Sequence, residues 1–199
     1  MKGTHVTWVL LLVQLATSQA KVEAEESAPY QVIKTEEGFE ERLYPPTKWV
    51  CYDDVDQVYT SKSQTKAFLS LFRYITGAND QGVSMAMTAP VTMLRQELKD
   101  SMTRYQMCFY LPKARQGTPP SPTDEGVYIE ERPAITVLTR TIGGFITRET
   151  QWENEASALQ EVLQAAGENN IDFSFYYRAG YDSPMKFENR RNEIWFLKK

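Results

Sequence analysis

The chain has 199 residues, a length that suits one domain or two small ones. Hydrophobic residues make up 42% and charged residues 24% of the sequence, which is a globular composition and excludes a disordered or collagen-like chain. A formal net charge of −4 excludes a strongly basic protein of the kind that binds nucleic acid over a broad surface. Aromatic residues, at 12%, favour a β-rich chain with a substantial core.

The first residues have the pattern of a secretory signal peptide. Lys2 precedes a short apolar run over residues 6–13, and Ser18-Gln19-Ala20 is a small-x-small cleavage site. The apolar run is too short to cross a bilayer comfortably, and the alternative is a buried N-terminal helix. We therefore predict a signal peptide over residues 1–20, a flexible segment over residues 21–28 and an extracellular protein.

Cleavage after Ala20 removes the only histidine, His5. Without it, neither a Ser-His-Asp triad nor a zinc site with imidazole ligands can form. No two acidic residues have a spacing that singles them out as a catalytic pair. We therefore predict no catalytic residue, no metal ligand and a protein that is not an enzyme.

The two cysteines, Cys51 and Cys108, are too few for a four-thiolate metal site. In an oxidising compartment they can form a disulfide, provided that their strands are neighbours and in register. Two independent, half-buried thiols are the alternative. Cys108 shares its predicted strand face with Gln106 and Tyr110, opposite Met107 and Phe109. This alternation predicts that Cys108 lies away from the deepest core.

The predicted elements fall into two halves, separated by a proline-rich loop over residues 113–126. In the first half, a helix is predicted over residues 61–76, because Phe68, Leu71, Phe72 and Ile75 share one helical face. Gly77 is the expected left-handed residue at its end. Strands are predicted over residues 30–34, 39–44, 48–52, 83–87, 91–94 and 105–111.

The second half repeats this order. A helix that ends before Gly167 is predicted, and Thr150 and Glu153 match a capping box at its start. The segment Glu40-Glu41-Arg42 of the first half returns as Glu130-Glu131-Arg132 in the second. We therefore predict an internal repeat over residues 29–113 and 126–199, whose roughly eight strands close into a barrel with two helices outside. The strands of the second half are predicted over residues 127–132, 134–141, 172–178 and 193–198.

Residues 84–91, Ser-Met-Ala-Met-Thr-Ala-Pro-Val, form an unusual segment. Considered alone, they suit a core strand with a bulge at Pro90, and their paired methionines adapt to flat apolar ligands. The segment resembles the signature of the SOUL haem-binding protein family. The resemblance covers residues 29–198. Further segments are similar to that family in the same order: Trp49-Val50, residues 68–79, residues 109–112 and residues 190–195.

The resemblance implies an α+β fold: a distorted antiparallel β-barrel of two repeated halves with two flanking α-helices, in one haem-binding domain over residues 29–199. It implies a non-enzymatic protein that binds haem or another porphyrin along the first helix and beside the loop before the last strand. The propionates of a porphyrin need cations, which Lys66, Arg73, Lys186 or Arg190 can supply. The site residues that the resemblance implies are Phe72, Arg73 and Ile75 on the helix, and Tyr181, Met185, Lys186 and Phe187 in the loop.

The absence of histidine from the mature chain bears on iron ligation. Met85, Met87, Met185, a tyrosine or a free cysteine can ligate iron in principle, or the porphyrin binds in an apolar groove with no protein ligand. We expect weak haem binding without a histidine ligand, in a secreted carrier or scavenger. The alternative is a secreted binding module of the same fold for another apolar ligand or a protein partner. No nucleic acid partner and no membrane span are expected.

Overall fold

The computed structural model describes residues 25–56, 60–183 and 185–199. The predicted signal peptide over residues 1–20 lies outside these ranges, as do residues 21–24. Within the described residues, no helix is long and apolar enough to span a membrane. The helices are α1 Ser61–Ile75 and α2 Glu149–Ala165. The strands are β1 Glu26–Ser27, β2 Gln31–Glu36, β3 Phe39–Tyr44, β4 Thr47–Asp56, β5 Thr88–Ala89, β6 Val91–Glu97, β7 Thr103–Tyr110, β8 Val127–Arg132, β9 Ile135–Gly143, β10 Ile171–Gly180 and β11 Arg191–Lys198.

The fold is α+β, and its main sheet is open. In the described part of the chain, nine strands pair antiparallel in the order β2-β3-β9-β11-β10-β6-β7-β4-β8. The edge strands β2 and β8 do not pair with each other, so the predicted barrel of about eight closed strands is wrong for these residues. The reason lies in β2, whose side chains are mostly exposed and include Gln31, Lys34 and Glu36. Polar side chains of this kind protect an edge without closing it.

The strand order is symmetric about the contact between β10 and β6. From that contact outward, one side runs β10-β11-β9-β3 and the other runs β6-β7-β4-β8. The repeated Glu-Glu-Arg segments lie at equivalent ends, in β3 and β8. The duplication of the sequence itself stays a prediction.

Each helix covers a separate part of the sheet with an apolar stripe. Ala67, Leu71 and Ile75 of α1 pack with β4 and β7, whereas Leu159 and Leu163 of α2 pack with β9, β10 and β11. The helical periodicity therefore located the core face of α2 correctly, whereas in α1 Leu71 and Ile75 of the predicted face are buried and Phe72 is 42% exposed. Both helices end as predicted at a left-handed glycine, since φ is +124° at Gly77 and +74° at Gly167.

The capping box predicted at Thr150 and Glu153 is wrong, because α2 begins at Glu149 and its N-cap residue is Arg148, two positions before Thr150. The side chain that turns back is that of Gln151. Its Oε1 accepts hydrogen bonds from the backbone N–H groups of Thr147 at 3.1 Å and Arg148 at 3.0 Å. These two bonds fix the backbone immediately before the first turn of α2.

The strand predicted over residues 83–87 is absent, and β5 begins only at Thr88. The Asn79 side chain takes up the neighbouring backbone groups: its Nδ2 donates to the carbonyls of Tyr74 and Val83, and its Oδ1 accepts from the N–H groups of Gln81 and Val83. The Met85 N–H donates to the carbonyl of Ile75 at 2.7 Å. Residues 83–87 are thus tied to the end of α1 instead of to a strand.

Residues 26–28, in the segment predicted to be flexible, are paired. β1 runs parallel to β5, with Glu26 opposite Thr88. The N–H of Ala28 donates to the carbonyl of Ala89 at 2.8 Å, and Ala28 is buried. The described N-terminal residues are therefore attached beside β5.

A third cluster fills the sheet face opposite the helices and draws on both halves, with Trp49, Cys51, Cys108, Val137 and Trp195 among its members. Cys51 lies directly opposite Cys108 in the β4–β7 ladder, and the two form a disulfide. The prediction that Cys108 lies away from the deepest core is wrong, since Cys108 has no exposed surface. β7 is buried on both faces, and alternation along such a strand cannot separate core from surface.

Candidate functional site

A groove of about 290 Å³ lies between α1, the start of β6 and the segment that follows β10. Phe68 and Phe72 form its helical wall, one turn apart, with their rings stacked at 6.0 Å between centroids. Phe72 is 42% exposed, although it belongs to the apolar stripe of α1. The lining residues are Glu25, Phe68, Phe72, Met87, Thr88, Val91, Gly180, Tyr181, Asp182 and Ser183.

Tyr181 forms the opposite wall and is fixed by polar contacts. Its hydroxyl donates to Oε2 of Glu193 at 2.8 Å, and the Arg191 guanidinium lies 4.0 Å from its ring centroid. Burial, and then the negative charge of Glu193, raises the pKa of Tyr181. The phenol therefore stays protonated and offers no phenolate to a metal.

Two carboxylates stand at the rim of the groove. Burial and the charge of Asp182 raise the pKa of Glu25. For Asp182, burial alone raises the pKa, but hydrogen bonds from Lys186 and from the Arg191 N–H hold it below its usual value. The rim is therefore acidic, with Lys186 neutralising Asp182.

The structure brings together two of the predicted site residues, Phe72 and Tyr181, which are far apart in sequence. Arg73 points elsewhere: its side chain is 64% exposed and its guanidinium pairs with Asp124 at 2.9 Å. Ile75 is 4% exposed and belongs to the core under α1. These two residues do not line the groove.

The predicted loop residues lie beyond the rim. Lys186 contacts the rim of the groove, where its ammonium forms a 2.5 Å ion pair with Asp182. Met185 and Phe187 are 78% and 73% exposed, and the Phe187 ring contacts Phe145 with 6.3 Å between centroids. The loop thus forms an apolar tip beside the groove, and its part in ligand binding stays a prediction.

The remaining candidate cations have other contacts. The Lys66 ammonium lies 5.5 Å from the centroid of the Tyr52 ring. Arg190 donates to the carbonyls of Ser183 and Lys186 and lies over Phe145, so that it closes the loop on itself. Lys186 alone among the four proposed cations pairs with a groove side chain in the described structure.

Sequence reasoning missed several groove residues. The sequence places Phe68 on the same helical face as Phe72, and its position one turn earlier indicates the same wall, but Phe68 is not among the predicted site residues. Met87 was named as a candidate iron ligand but not as a groove residue, and Val91 was assigned to a strand. No pattern in the sequence indicates Glu25 as a groove residue, because its position depends on the β1–β5 pairing.

A larger depression of about 840 Å³ lies beside the C-terminal end of α2. Its lining includes Glu36, Glu37 and Glu40, and it has no pair of facing aromatic side chains. The smaller groove has the apolar walls that a flat ligand needs. We therefore treat the groove at Phe72 and Tyr181 as the candidate site.

Comparison with known proteins agrees with the sequence resemblance. A family model described as "SOUL heme-binding protein" matches residues 25–197. The chain belongs to the SOUL heme-binding family. It is 34% identical to mouse heme-binding protein 1 over 179 residues, which cover 87% of this chain and 93% of that protein. It is 35% identical to human heme-binding protein 2 over 163 residues, which cover 81% of this chain and 78% of that protein. Both relatives of this SOUL chain are named as binding proteins, not as enzymes.

Among solved structures, the SOUL chain is similar to the EcmrR C-terminal domain, with a TM-score of 0.56. The match covers 85% of this chain and 98% of that domain at 17% identity. At this level of identity the similarity shows a shared fold only.

Proposed function

We propose that this SOUL protein is a non-enzymatic carrier or scavenger of haem or a related tetrapyrrole, which binds against the groove between α1 and Tyr181. The observation that carries the proposal is the pair of aromatic walls, Phe68 with Phe72 on one side and Tyr181 on the other, in a chain of this family. A porphyrin is a flat apolar ring, and such walls remove its faces from water.

The porphyrin enters by one edge and binds weakly. A volume of about 290 Å³ lies at the lower end of the range for ligand pockets, which is roughly 300–1,000 Å³. Much of a haem therefore stays outside the groove, where the exposed Met185 and Phe187 can cover it. The propionates point outward to Lys186, since Glu25 and Asp182 at the rim repel them.

Binding does not use a histidine ligand. His5 lies in the proposed signal peptide and outside the described residues. The hydroxyl of Tyr181 is hydrogen-bonded to Glu193, and the carboxylate of Asp182 accepts hydrogen bonds from Lys186 and from the Arg191 N–H. These groups are therefore not free to ligate iron. The thioether of Met87 is a groove donor without such a contact, and thioethers ligate haem iron in some proteins.

Titration with haemin tests this proposal. We expect saturable quenching of tryptophan emission and a shift of the Soret band. Phe72→Asp should weaken affinity about tenfold or more, because it removes an aromatic wall that the ligand would cover and adds a charge. The matched control is Leu69→Asp on the same helix, which is 52% exposed and outside the groove. No spectral response from the wild type overturns the function, and equal affinity of Phe72→Asp and the wild type overturns the site.

We also propose that the protein is secreted after cleavage near Ala20. The support is the basic, apolar and small-residue pattern of residues 1–20. N-terminal sequencing of protein from the medium of expressing animal cells should begin near Lys21. Protein that retains Met1 in the medium, or that stays in the cells, contradicts this proposal.

The acidic rim favours a second candidate, a binding module for an apolar cation. Glu25 and Asp182 repel the propionates of a porphyrin, and a cationic aromatic ligand suits these carboxylates better. Titration with the aromatic cation crystal violet separates the candidates. Tighter binding of the dye than of haemin, lost in Glu25→Gln, supports the second candidate.

A further inference from the structure

The carboxylate of Glu130 lies against both sulfur atoms of the Cys51–Cys108 disulfide. Its Oε2 is 3.5 Å from Sγ of Cys51 and 3.9 Å from Sγ of Cys108. Neither sulfur of a disulfide carries a proton, so neither donates a hydrogen bond to this oxygen. The sulfur atoms interact favourably with this oxygen only when the disulfide is reduced to two thiols, which can donate hydrogen bonds, or when a cation lies between the three atoms.

We propose that the reduced form of this protein has a metal site for Zn²⁺, with Cys51, Cys108 and Glu130 as ligands. The three donor atoms lie within 4.8 Å of one another. In a tetrahedral zinc site, Zn–S bonds of about 2.3 Å and Zn–O bonds of about 2.0 Å place sulfur and oxygen ligands about 3.5 Å apart. The two sulfur–oxygen distances already approach this value, and only the sulfurs must separate.

The surroundings suit a metal of this charge. Two thiolates and one carboxylate carry three negative charges, so a bound Zn²⁺ leaves one negative charge. Arg132 supplies the balancing cation, because its Nε donates to Oε2 of Glu130 at 2.6 Å and its guanidinium is 7% exposed. A neighbouring Asp53–Arg104 ion pair is neutral as a unit.

Two buried polar atoms beside the site have no hydrogen-bond partner within the described residues. They are Oε1 of Gln106 and Nη2 of Arg132. Gln106 is 2% exposed, and its Nε2 donates to Oε1 of Glu130 at 3.0 Å and to the Tyr128 hydroxyl at 2.7 Å. A water on the fourth position of the metal is a suitable partner for such groups.

The chemistry is reversible and balanced. A dithiol reductant cleaves the Cys51–Cys108 bond by transferring two electrons and two protons, and becomes a cyclic disulfide itself. Zn²⁺ then displaces the two thiol protons when it binds. Reoxidation of the thiolates to the disulfide by a disulfide oxidant removes two ligands and releases the metal. The site and the disulfide are therefore alternatives, and metal occupancy follows the redox state.

Cobalt titration of the reduced protein tests the inference, since the two cysteines are the only thiols of the chain. After treatment with a phosphine reductant, we expect thiolate-to-Co²⁺ charge-transfer absorption that saturates at one equivalent and is abolished by Zn²⁺. The oxidised protein should give none. Glu130→Gln should weaken binding about tenfold or more. Glu131→Gln is the matched control, because this neighbouring side chain is 74% exposed and pairs with Lys48.

A second measurement, of melting temperature, tests the inference even if the protein unfolds on reduction. If the reduced protein melts at a lower temperature, Zn²⁺ should raise its melting temperature and leave that of the oxidised protein unchanged. Reduced protein that shows neither charge-transfer absorption nor stabilisation by Zn²⁺ overturns the inference, whether it is folded or not. None of these readouts involves haem, so the result is independent of the proposed function.

Discussion

Arg42 and Glu193 form a buried ion pair across the sheet, in which Nη1 of Arg42 donates to both carboxylate oxygens at 3.0 Å. Glu193 has no exposed surface and Arg42 is 3% exposed. The same carboxylate accepts hydrogen bonds from the Tyr181 hydroxyl and from Nε1 of Trp195. Glu193 therefore links β11 both to Arg42 in β3 and to Tyr181 in the groove wall.

Glu193→Gln should destabilise the protein by about 3–5 kcal/mol, because it removes the fully buried counter-charge of Arg42 and leaves only the partly exposed Glu40. Urea unfolding monitored by circular dichroism measures this change. The control is Glu40→Gln, which removes a partly exposed partner of the same Arg42 and should cost about 1 kcal/mol or less. Equal losses in the two variants contradict a special role for the buried pair.

The lowered pKa of Glu193 should make the stability of the protein depend on pH. Burial alone raises the pKa of Glu193, but Arg42, Trp195 and Arg191 hold it below its usual value in the folded protein. The ionised form is therefore favoured by folding, so its contribution is complete above the unfolded pKa of about 4.3 and is lost as pH falls through the folded pKa. Below pH of about 4.3, the free energy of unfolding of the wild type should fall with a slope up to about 1.4 kcal/mol per pH unit steeper than that of Glu193→Gln. Identical slopes contradict the lowered pKa.

Reduction of the disulfide should destabilise the protein in the absence of metal. The bridge joins positions 57 residues apart, and a loop of that length contributes about 4 kcal/mol in the chain-entropy model. Urea unfolding with and without a phosphine reductant measures the loss, and Cys51→Ala combined with Cys108→Ala should not respond to the reductant. Denatured, unreduced protein should titrate with no free thiol, and two thiols per chain would contradict the bridge.

The sequence predicted local features of the fold better than contacts between distant residues. The burial of Leu71 and Leu159 depends on helical spacing alone, and the structure confirms it at both positions, although Phe72 of the first stripe is exposed. Closure of the sheet depends on whether β2 pairs with β8. The polar side chains of β2 indicate an edge, but the strand alternation behind the barrel prediction does not take them into account. Likewise, only the family resemblance placed Phe72 near Tyr181, because 109 positions separate them.

The segment before β5 shows why local patterns fail there. Val83, Met85 and Met87 alternate like a strand, but the Asn79 side chain and the carbonyl of Ile75 bind the backbone of this segment. Asparagine is a common loop residue, and its position after Gly77 does not reveal the four side-chain hydrogen bonds that it makes. The groove position of Met87 follows from this tie to α1.

Asn79→Ala should therefore affect both stability and ligand binding. Asn79 is 5% exposed, and its side chain makes hydrogen bonds to the backbone of Tyr74, Gln81 and Val83. Its loss leaves buried carbonyls and N–H groups unpaired, which should cost about 2–4 kcal/mol in urea unfolding. Because residues 83–87 then lose their attachment to α1, Met87 is no longer held in the groove, and haemin affinity should fall in the folded variant. Gln81→Ala, at an exposed neighbouring side chain, should change neither quantity. Loss of stability in Asn79→Ala with unchanged haemin affinity would show that residues 83–87 do not contribute to haemin binding.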